Sequence, residues 1–447
     1  LSCGSRSEHF ETLFALAKVG AIAVPFDFHW SPAECEAMVR FFKPKAFIME
    51  DRKETVHLPA MVSGYIEGRA IVGLDYPTSQ GTVPYEEALA GGSPEDPRVS
   101  VDGKDLFLIM ITSGTTGFPK ACAINHETYA LRSINNAISK GLNQHQRALL
   151  TLPLHFNAGR GTMVGMLYLG STVFIHERFN EEDFLSTIER EKITYTVVVP
   201  TICDRLLKYP GLDGYDLSTL RYVGITGGHL TYEVAEAMMR RVCPNLNESY
   251  ASTDCGQMTI LAPEDCLAHH DSVGRPIWCV TFGIMDEAGN EVPPGQEGEI
   301  CVRTPLAAQG YYRNPEATEE FFSGGWCHTG DMGFLDSEGF LHISGRKKNM
   351  IKSGGISIFP EEIEGVLKMH PDVADAAVVG YQSPEWGEGV KALVVLKQGS
   401  SCESDALINF CKESLARYKA PKVAEFVSGV PRTGLGKLDR GRLNLEK

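Results

Sequence analysis

The chain has 447 residues, a formal net charge of −15, 43% hydrophobic and 22% charged residues. That length exceeds one ordinary domain and that composition belongs to a chain with cores to bury, which excludes wholesale disorder. The acidic balance excludes nucleic acid or an anionic membrane as the main partner, so a bound anion must be held by local positive charge.

Twelve cysteines are scattered without a C-x-x-C pair, the pattern of reduced thiols in a cytoplasmic protein rather than of a disulfide framework. Cys266, His269 and His270 lie close in sequence, but structural zinc wants four ligands and no second ligand pair accompanies them, so a plain loop is the expectation. No apolar run is long enough to insert in a bilayer and no signal peptide is visible.

In chain order, residues 1 to about 100 alternate helix-like segments (His9 to Lys18, Ser31 to Phe42) with strand-like ones (Ala21 to Pro25, Lys45 to Met49), the pattern of an α/β sheet. The run Thr112 to Lys120, TSGTTGFPK, follows the strand-like Leu106 to Ile111 and precedes the strand-like Ala121 to Ile124, which predicts a hairpin. Gly114 and Gly117 free its backbone, Ser113, Thr115 and Thr116 supply hydroxyls, and Lys120 supplies charge. Together they suit phosphate oxygens, without the spacing of a Walker A loop.

Asn125 is placed to cap a helix with Thr128 three residues on. Leu152 to Gly159 follows, with His155 and Phe156 at its centre, and then Arg160. That arginine has two readings, a solvent-facing residue at a helix start or a cation at the edge of a pocket. Gly161 to Ile175 reads as a buried helix and then the strand Thr172 to Ile175. Tyr195 to Pro200 and Arg221 to Thr226 are further strands, the second ending in Gly227-Gly228-His229. Tyr250-Ala251-Ser252-Thr253-Asp254 ends another strand. Downstream stand Gly325-Trp326-Cys327-His328-Thr329-Gly330-Asp331, a hairpin around Ser337-Glu338-Gly339, and Gly345-Arg346. A polar, Gly-bearing run from Lys347 to Gly355 marks a domain boundary. Beyond it, a helix starting at Pro360, strands Ala374 to Val379 and Lys391 to Leu396, and a helix carrying Leu407, Phe410, Cys411 and Leu415 make a small α+β unit. Pro431 to Lys437 places a lysine between turn glycines.

Taken together and in this order, the motifs resemble those of the adenylate-forming superfamily, which holds acyl-CoA synthetases, adenylation domains and luciferases. The resemblance covers essentially the whole chain. It implies a large N-terminal domain of βα-type sheets plus a β-rich subdomain (1–347) and a small mobile α+β lid (348–447), with the hinge at Lys348. Because relatives usually carry several dozen more residues before the point matching Leu1, the chain is expected to begin part-way into the first domain.

By the same resemblance, ATP is held by Thr112, Ser113, Gly114, Thr115, Thr116, Gly117 and Gly228. Tyr250 stacks on adenine, Thr253 bonds the α-phosphate, Asp254 binds Mg²⁺, Asp331 accepts from the ribose hydroxyls and Arg346 is a second contact to ribose or phosphate. Lys437, Thr253 and Lys120 act in catalysis. His155, Phe156, Arg160, His229, Ala251 and Cys255 line the acyl pocket, and Gly354 and Gly355 the CoA tunnel. Four departures from the family pattern stand out: His155 and Phe156 are swapped, His229 stands where a small residue is common, Ala251 replaces a glycine and Asp254 a glutamate.

The implied activity is an ATP-dependent carboxylate–CoA ligase in the cytoplasm, acting on a small, short-chain, aromatic or polar-substituted acid. Loading of a carrier-protein phosphopantetheine and a degenerate nucleotide-binding homologue are the alternatives, and a homo-oligomer is compatible with the sequence.

Overall fold

The computed structural model describes the chain except residues 29, 53–54, 56, 67–70, 76–81, 113–119, 354–355, 384–386, 433–437 and 444–447. At its centre five parallel strands stand in the order Leu246–Glu248, Tyr222–Ile225, Tyr195–Val198, Arg147–Leu150 and Thr172–Ile175. The helices Asn157–Tyr168, Glu181–Glu191, Pro200–Lys208 and Tyr232–Arg241 cross between them. Covering by helices explains why Tyr195–Val198 is buried throughout instead of alternating. The core joins Leu149, Val197, Val223 and Ile225 of the sheet to Met163, Phe184, Ile188, Leu206 and Met238 of the helices.

The predicted hairpin forms: Leu106–Thr112 and Lys120–Asn125 pair antiparallel with Thr112 opposite Lys120. Its free edge takes up Gly310–Tyr311, which sets Tyr311 opposite Cys122. Asn125 caps His126–Ser139, its Oδ1 accepting from the Thr128 N–H at 2.8 Å, so one orphan donor of the first turn is satisfied.

The strand expected at Ala21 to Pro25 is reduced to one bridge, Ala23 to Leu108. The Ala23 N–H donates to the Phe107 carbonyl at 2.8 Å and its carbonyl accepts from the Ile109 N–H at 2.9 Å, but Pro25 has no N–H to continue the ladder.

The β-rich subdomain is an antiparallel sheet containing Thr281–Met285, Gly298–Arg303, Trp326–Leu335 and Leu341–Arg346. Its second and third strands fall out of register. Cys301 faces His328 and Glu299 faces Met332, so Thr329, Gly330 and Asp331 bulge out of the ladder. Gly330 takes φ +71° there, where a Cβ would be strained.

The C-terminal unit has its own core of Ile363, Leu367, Ala376, Val378, Val390, Val394, Leu407 and Cys411. It is built on the long pair Val373–Ser383 and Gly387–Leu396 with the helices Pro360–Met369 and Ser404–Ser414.

All twelve cysteines are free. Cys266 is buried, His269 stacks on Phe340 at 3.7 Å and His270 meets Tyr232 edge-on, so these three residues point to separate partners and form no metal cluster. Among the described residues no helix is long and apolar enough to cross a membrane.

Candidate active site

The bulge delivers Asp331 to the place where two other motifs meet. Its side chain is almost wholly buried; Oδ2 accepts the Tyr250 hydroxyl at 2.5 Å and Oδ1 faces Arg346 Nε at 2.6 Å. Arg346 is the direct cross-strand partner of Asp331 and also donates to the Thr329 carbonyl at 3.4 Å. Burial, and then the Asp331 charge, push the Tyr250 phenol well above its usual range, so it stays a donor. Three segments separated by up to about a hundred residues thus converge on one carboxylate, which can accept hydrogen bonds from vicinal hydroxyls once the tyrosine yields its place.

The turn after Tyr250 is held by a residue that sequence reasoning missed. Arg132, on the helix His126–Ser139 and 6% exposed, donates from Nη1 to the Thr253 carbonyl and from Nη2 to the Asp254 carbonyl, both at 3.0 Å. Its Nε donates to the Leu306 carbonyl at 2.8 Å. A buried arginine with no carboxylate facing it in the motif offered no sequence signal. The Ala308 N–H adds 2.7 Å to the Asp254 carbonyl.

Below the turn, the Asp254 side chain lies beside Tyr311, whose phenol is pushed up by burial and then by that carboxylate. Lys120 Nζ sits 4.8 Å from the centre of the Tyr311 ring. Asp254 Oδ1 is buried and has no hydrogen-bond partner among the described residues. An orphaned, hard carboxylate oxygen of this kind fits a divalent cation such as Mg²⁺.

Cations also lie near Asp331 and Arg346. The Lys348 ammonium is held below its usual range by burial, and then by Arg346, Lys120 and Arg440, with Asp331 opposing. Two of these cations are paired, Arg346 with Asp331 at 2.6 Å and Arg440 with Glu361 and Glu364 at 3.2 and 2.8 Å, so cations and carboxylates are interleaved here.

The residues expected in the acyl pocket are distributed differently. His155 is buried, its Nε2 3.5 Å from Asp27 Oδ2, with Phe28 edge-on at 5.6 Å and Phe156 packed at 4.1 Å. Arg160 is fully buried, which overturns its solvent-facing reading. Its Nη1 donates to the Leu154 and His155 carbonyls at 2.8 and 3.4 Å, so it braces the turn carrying His155 and Phe156.

His229 is turned onto Glu248, Nδ1 to Oε2 at 2.8 Å. Burial opposes its charge, but the Glu248 hydrogen bond and charge, helped by the His270 carbonyl and Asp271, raise its pKa. The bond ties this exposed ring to the end of the strand Leu246–Glu248. Cys255 also leaves the pocket set, because its thiol is buried against Cys327 in the core of the β-rich subdomain. Ala251 stays exposed at a short strand end.

At Gly228 an added Cβ would come within 3.1 Å of the Pro200 ring, a tight contact that the ring would have to relieve by a few tenths of an ångström. Thr112 closes its strand opposite Lys120, whereas Ser113, Gly114, Thr115, Thr116, Gly117, Gly354, Gly355 and Lys437 fall outside the described residues.

Buried carboxylate, cation cluster and clamped turn, carried on this pair of domains, define a nucleotide-dependent enzyme that activates carboxylic acids. The chain belongs to the AMP-binding enzyme family, which it matches over residues 1–312, with the AMP-binding enzyme C-terminal domain over 362–437. It is an AMP-forming acid–thiol ligase that uses ATP, Mg²⁺ and CoA.

It is similar to the indoleacetate–CoA ligase of Aromatoleum aromaticum, with 34% identity over 440 residues covering 96% of this chain and 84% of that one. It is 36% identical over 349 residues to the 2-succinylbenzoate–CoA ligase of Bacillus licheniformis, covering 77% and 71%. In structure it resembles the anthranilate CoA ligase AuaEII in complex with anthranoyl-AMP, with a TM-score of 0.87 and 26% identity, covering 100% of this chain and 86% of that one.

Proposed function

We propose that the chain is an aromatic-acid–CoA ligase whose adenylate forms between the Tyr250–Asp254 turn and the Asp331 bulge. The observation that supports this placement is the convergence of Tyr250, Asp331 and Arg346 beside the cations Lys120, Lys348 and Arg440. The aromatic substrate class draws support from relatives named for indoleacetate, 2-succinylbenzoate and anthranilate.

In the first half-reaction a carboxylate oxygen of the acid attacks the α-phosphorus and pyrophosphate leaves. Asp331 and Arg346 hold the ribose, and Tyr250 lays its ring on the adenine beside Gly228. Thr253 donates to the α-phosphate. Thr112, Ser113, Gly114, Thr115, Thr116, Gly117 and Lys120 cradle the departing phosphates, and Lys437 reaches in from the C-terminal domain. Because charge builds on phosphate oxygens, donors and cations fixed in advance supply most of the acceleration. When bound at Asp254, Mg²⁺ neutralises that developing charge.

In the second half-reaction the CoA sulfur attacks the acyl carbonyl and AMP leaves. For this the lid (348–447) turns at Lys348, withdraws Lys437 and opens a thiol path beside Gly354 and Gly355. The acyl group lies along His155, Phe156 and Ala251, with Arg160 holding that wall from behind.

The test is AMP release over a panel of indole-3-acetate, benzoates, cinnamates, short aliphatic acids and dicarboxylic acids, each with CoA, with a phosphopantetheinyl carrier, or with neither. Aromatic acids should release AMP only when CoA is present. Turnover confined to aliphatic acids would sink the substrate class, and turnover confined to the carrier would sink the acceptor.

A further inference from the structure

On the face of the β-rich sheet next to the Asp331 bulge, three side chains of different ligand chemistry point at one another. His328 Nδ1 lies 3.4 Å from Cys301 Sγ and 3.4 Å from Glu299 Oε2, and all three ligand atoms fall within 4.8 Å of one another. Cys301 and His328 are direct cross-strand partners, and Glu299 follows the alternation of its strand to the same side. Their spacing is that of a coordination shell. Metal–nitrogen and metal–oxygen distances of about 2.0 Å and a metal–sulfur distance of about 2.3 Å, at tetrahedral angles, separate the ligand atoms by about 3.3–3.6 Å.

We propose that Glu299, Cys301 and His328 form a site for a divalent transition-metal ion of the zinc class, with water as the fourth ligand and Lys347 as the cation it displaces. Thiolate, imidazole and carboxylate together suit a borderline ion, and discriminate against Mg²⁺, which wants oxygen alone. Cys301 is fully buried while His328 and Glu299 keep partial access, so an ion enters from the imidazole side.

In the metal-free protein the Lys347 ammonium neutralises Glu299 at 2.7 Å. The three ligands straddle the base of the bulge, two on the facing strand and His328 at the last paired position before it, and Lys347 stands next to Lys348. Loading therefore stiffens the loop that presents Asp331 and frees a cation beside the proposed hinge. This goes beyond the ligase reading, and its central readout does not depend on turnover.

The experiment is anaerobic titration of the full chain with Co²⁺, read as the near-ultraviolet thiolate-to-cobalt band and the visible bands of tetrahedral cobalt. One equivalent should develop both, Zn²⁺ should bleach them, and saturating Mg²⁺ should leave them intact. Cys301→Ser should abolish the charge-transfer band while ligase activity and thermal midpoint without metal stay near the parent's, and His328→Gln should weaken binding by at least tenfold. Because Lys347 is half-exposed, Lys347→Met should tighten cobalt only about two- to fivefold, the range of such ion pairs.

A second triad, His370, Asp372 and Cys402, lies in the C-terminal domain and supplies the control. Bands lost in Cys402→Ser but kept in Cys301→Ser overturn the proposal, as does the absence of a thiolate band at one equivalent in the parent protein.

Discussion

At the scale of single residues, what a side chain does here is set by what it is buried against. Asp331 was readable as a carboxylate after Thr-Gly, but its near-complete burial and its capture of both Tyr250 and Arg346 depend on strands far apart in the chain. His229 and Cys255 show the converse. Both sit at pocket positions in the sequence, and the structure engages one with the carboxylate of Glu248 at a strand end and the other with a neighbouring thiol. Neither partner is adjacent in sequence, so no local pattern could have revealed them.

His9 gives a residue-scale prediction. It is 1% exposed, and burial, reinforced by Arg160, holds its pKa well below 6.5, so it is neutral when folded. Unfolding lets it take up a proton once the pH drops below about 6.5, the ordinary histidine range, so its contribution to stability falls as pH falls. Between pH 6.5 and 5.5 that amounts to about 1 kcal/mol. Urea midpoints should drop across this interval for the parent protein and drop measurably less for His9→Asn; parallel slopes would refute the assignment.

At the scale of elements, periodicity and caps carried most of the reading. The helix after Asn125, the hairpin around Thr112–Lys120 and the start at Pro360 stand where capping residues, alternation and proline put them. The segment at Ala21 to Pro25 did not extend into a strand, because beyond the bridge at Ala23 the proline has no N–H to give to the neighbouring strand.

The helix His126–Ser139 does more than cover the sheet, since it carries Arg132 under the Thr253–Asp254 turn. Replacing Arg132 by leucine leaves three carbonyls without their buried charged donor and should cost about 3 kcal/mol or more of stability. A raised KM for ATP should accompany the loss, measured at a temperature where the variant is still folded. An unchanged KM in the folded variant would mean that the turn holds itself.

At the scale of the whole molecule, two separate cores are joined through the run Lys347 to Gly355. Within the run Asn349 Nδ2 donates to Glu361 Oε1 at 2.8 Å, and across the junction Lys352 faces Glu287 at 3.4 Å, a polar contact. Junctions of this kind yield to relative motion more readily than apolar ones. If the lid delivers Lys437 for the first half-reaction and withdraws it for the second, Lys437→Ala should cut acid-dependent ATP–pyrophosphate exchange by at least about a hundredfold, the loss expected for one donor to developing charge. The same variant should still convert supplied acyl-adenylate and CoA to thioester. Equal loss in both assays would contradict the division of labour.

The sequence by itself determined the family-like order of motifs, the two-unit division and the residue types proposed to meet phosphate, ribose and metal. Those features follow from short-range rules: glycine for sharp backbone, lysine and hydroxyls for phosphate, alternation and caps for strands and helices. Tertiary structure alone decided which residues share a site. The bulge that lifts Asp331 out of its ladder, the burial of Arg160 and Arg132 against carbonyls, and the meeting of Glu299 with Cys301 and His328 all depend on register between strands and on packing between distant segments. Register is a property of pairs of strands, and desolvation a property of everything that surrounds a group, so neither can be read from one stretch of chain.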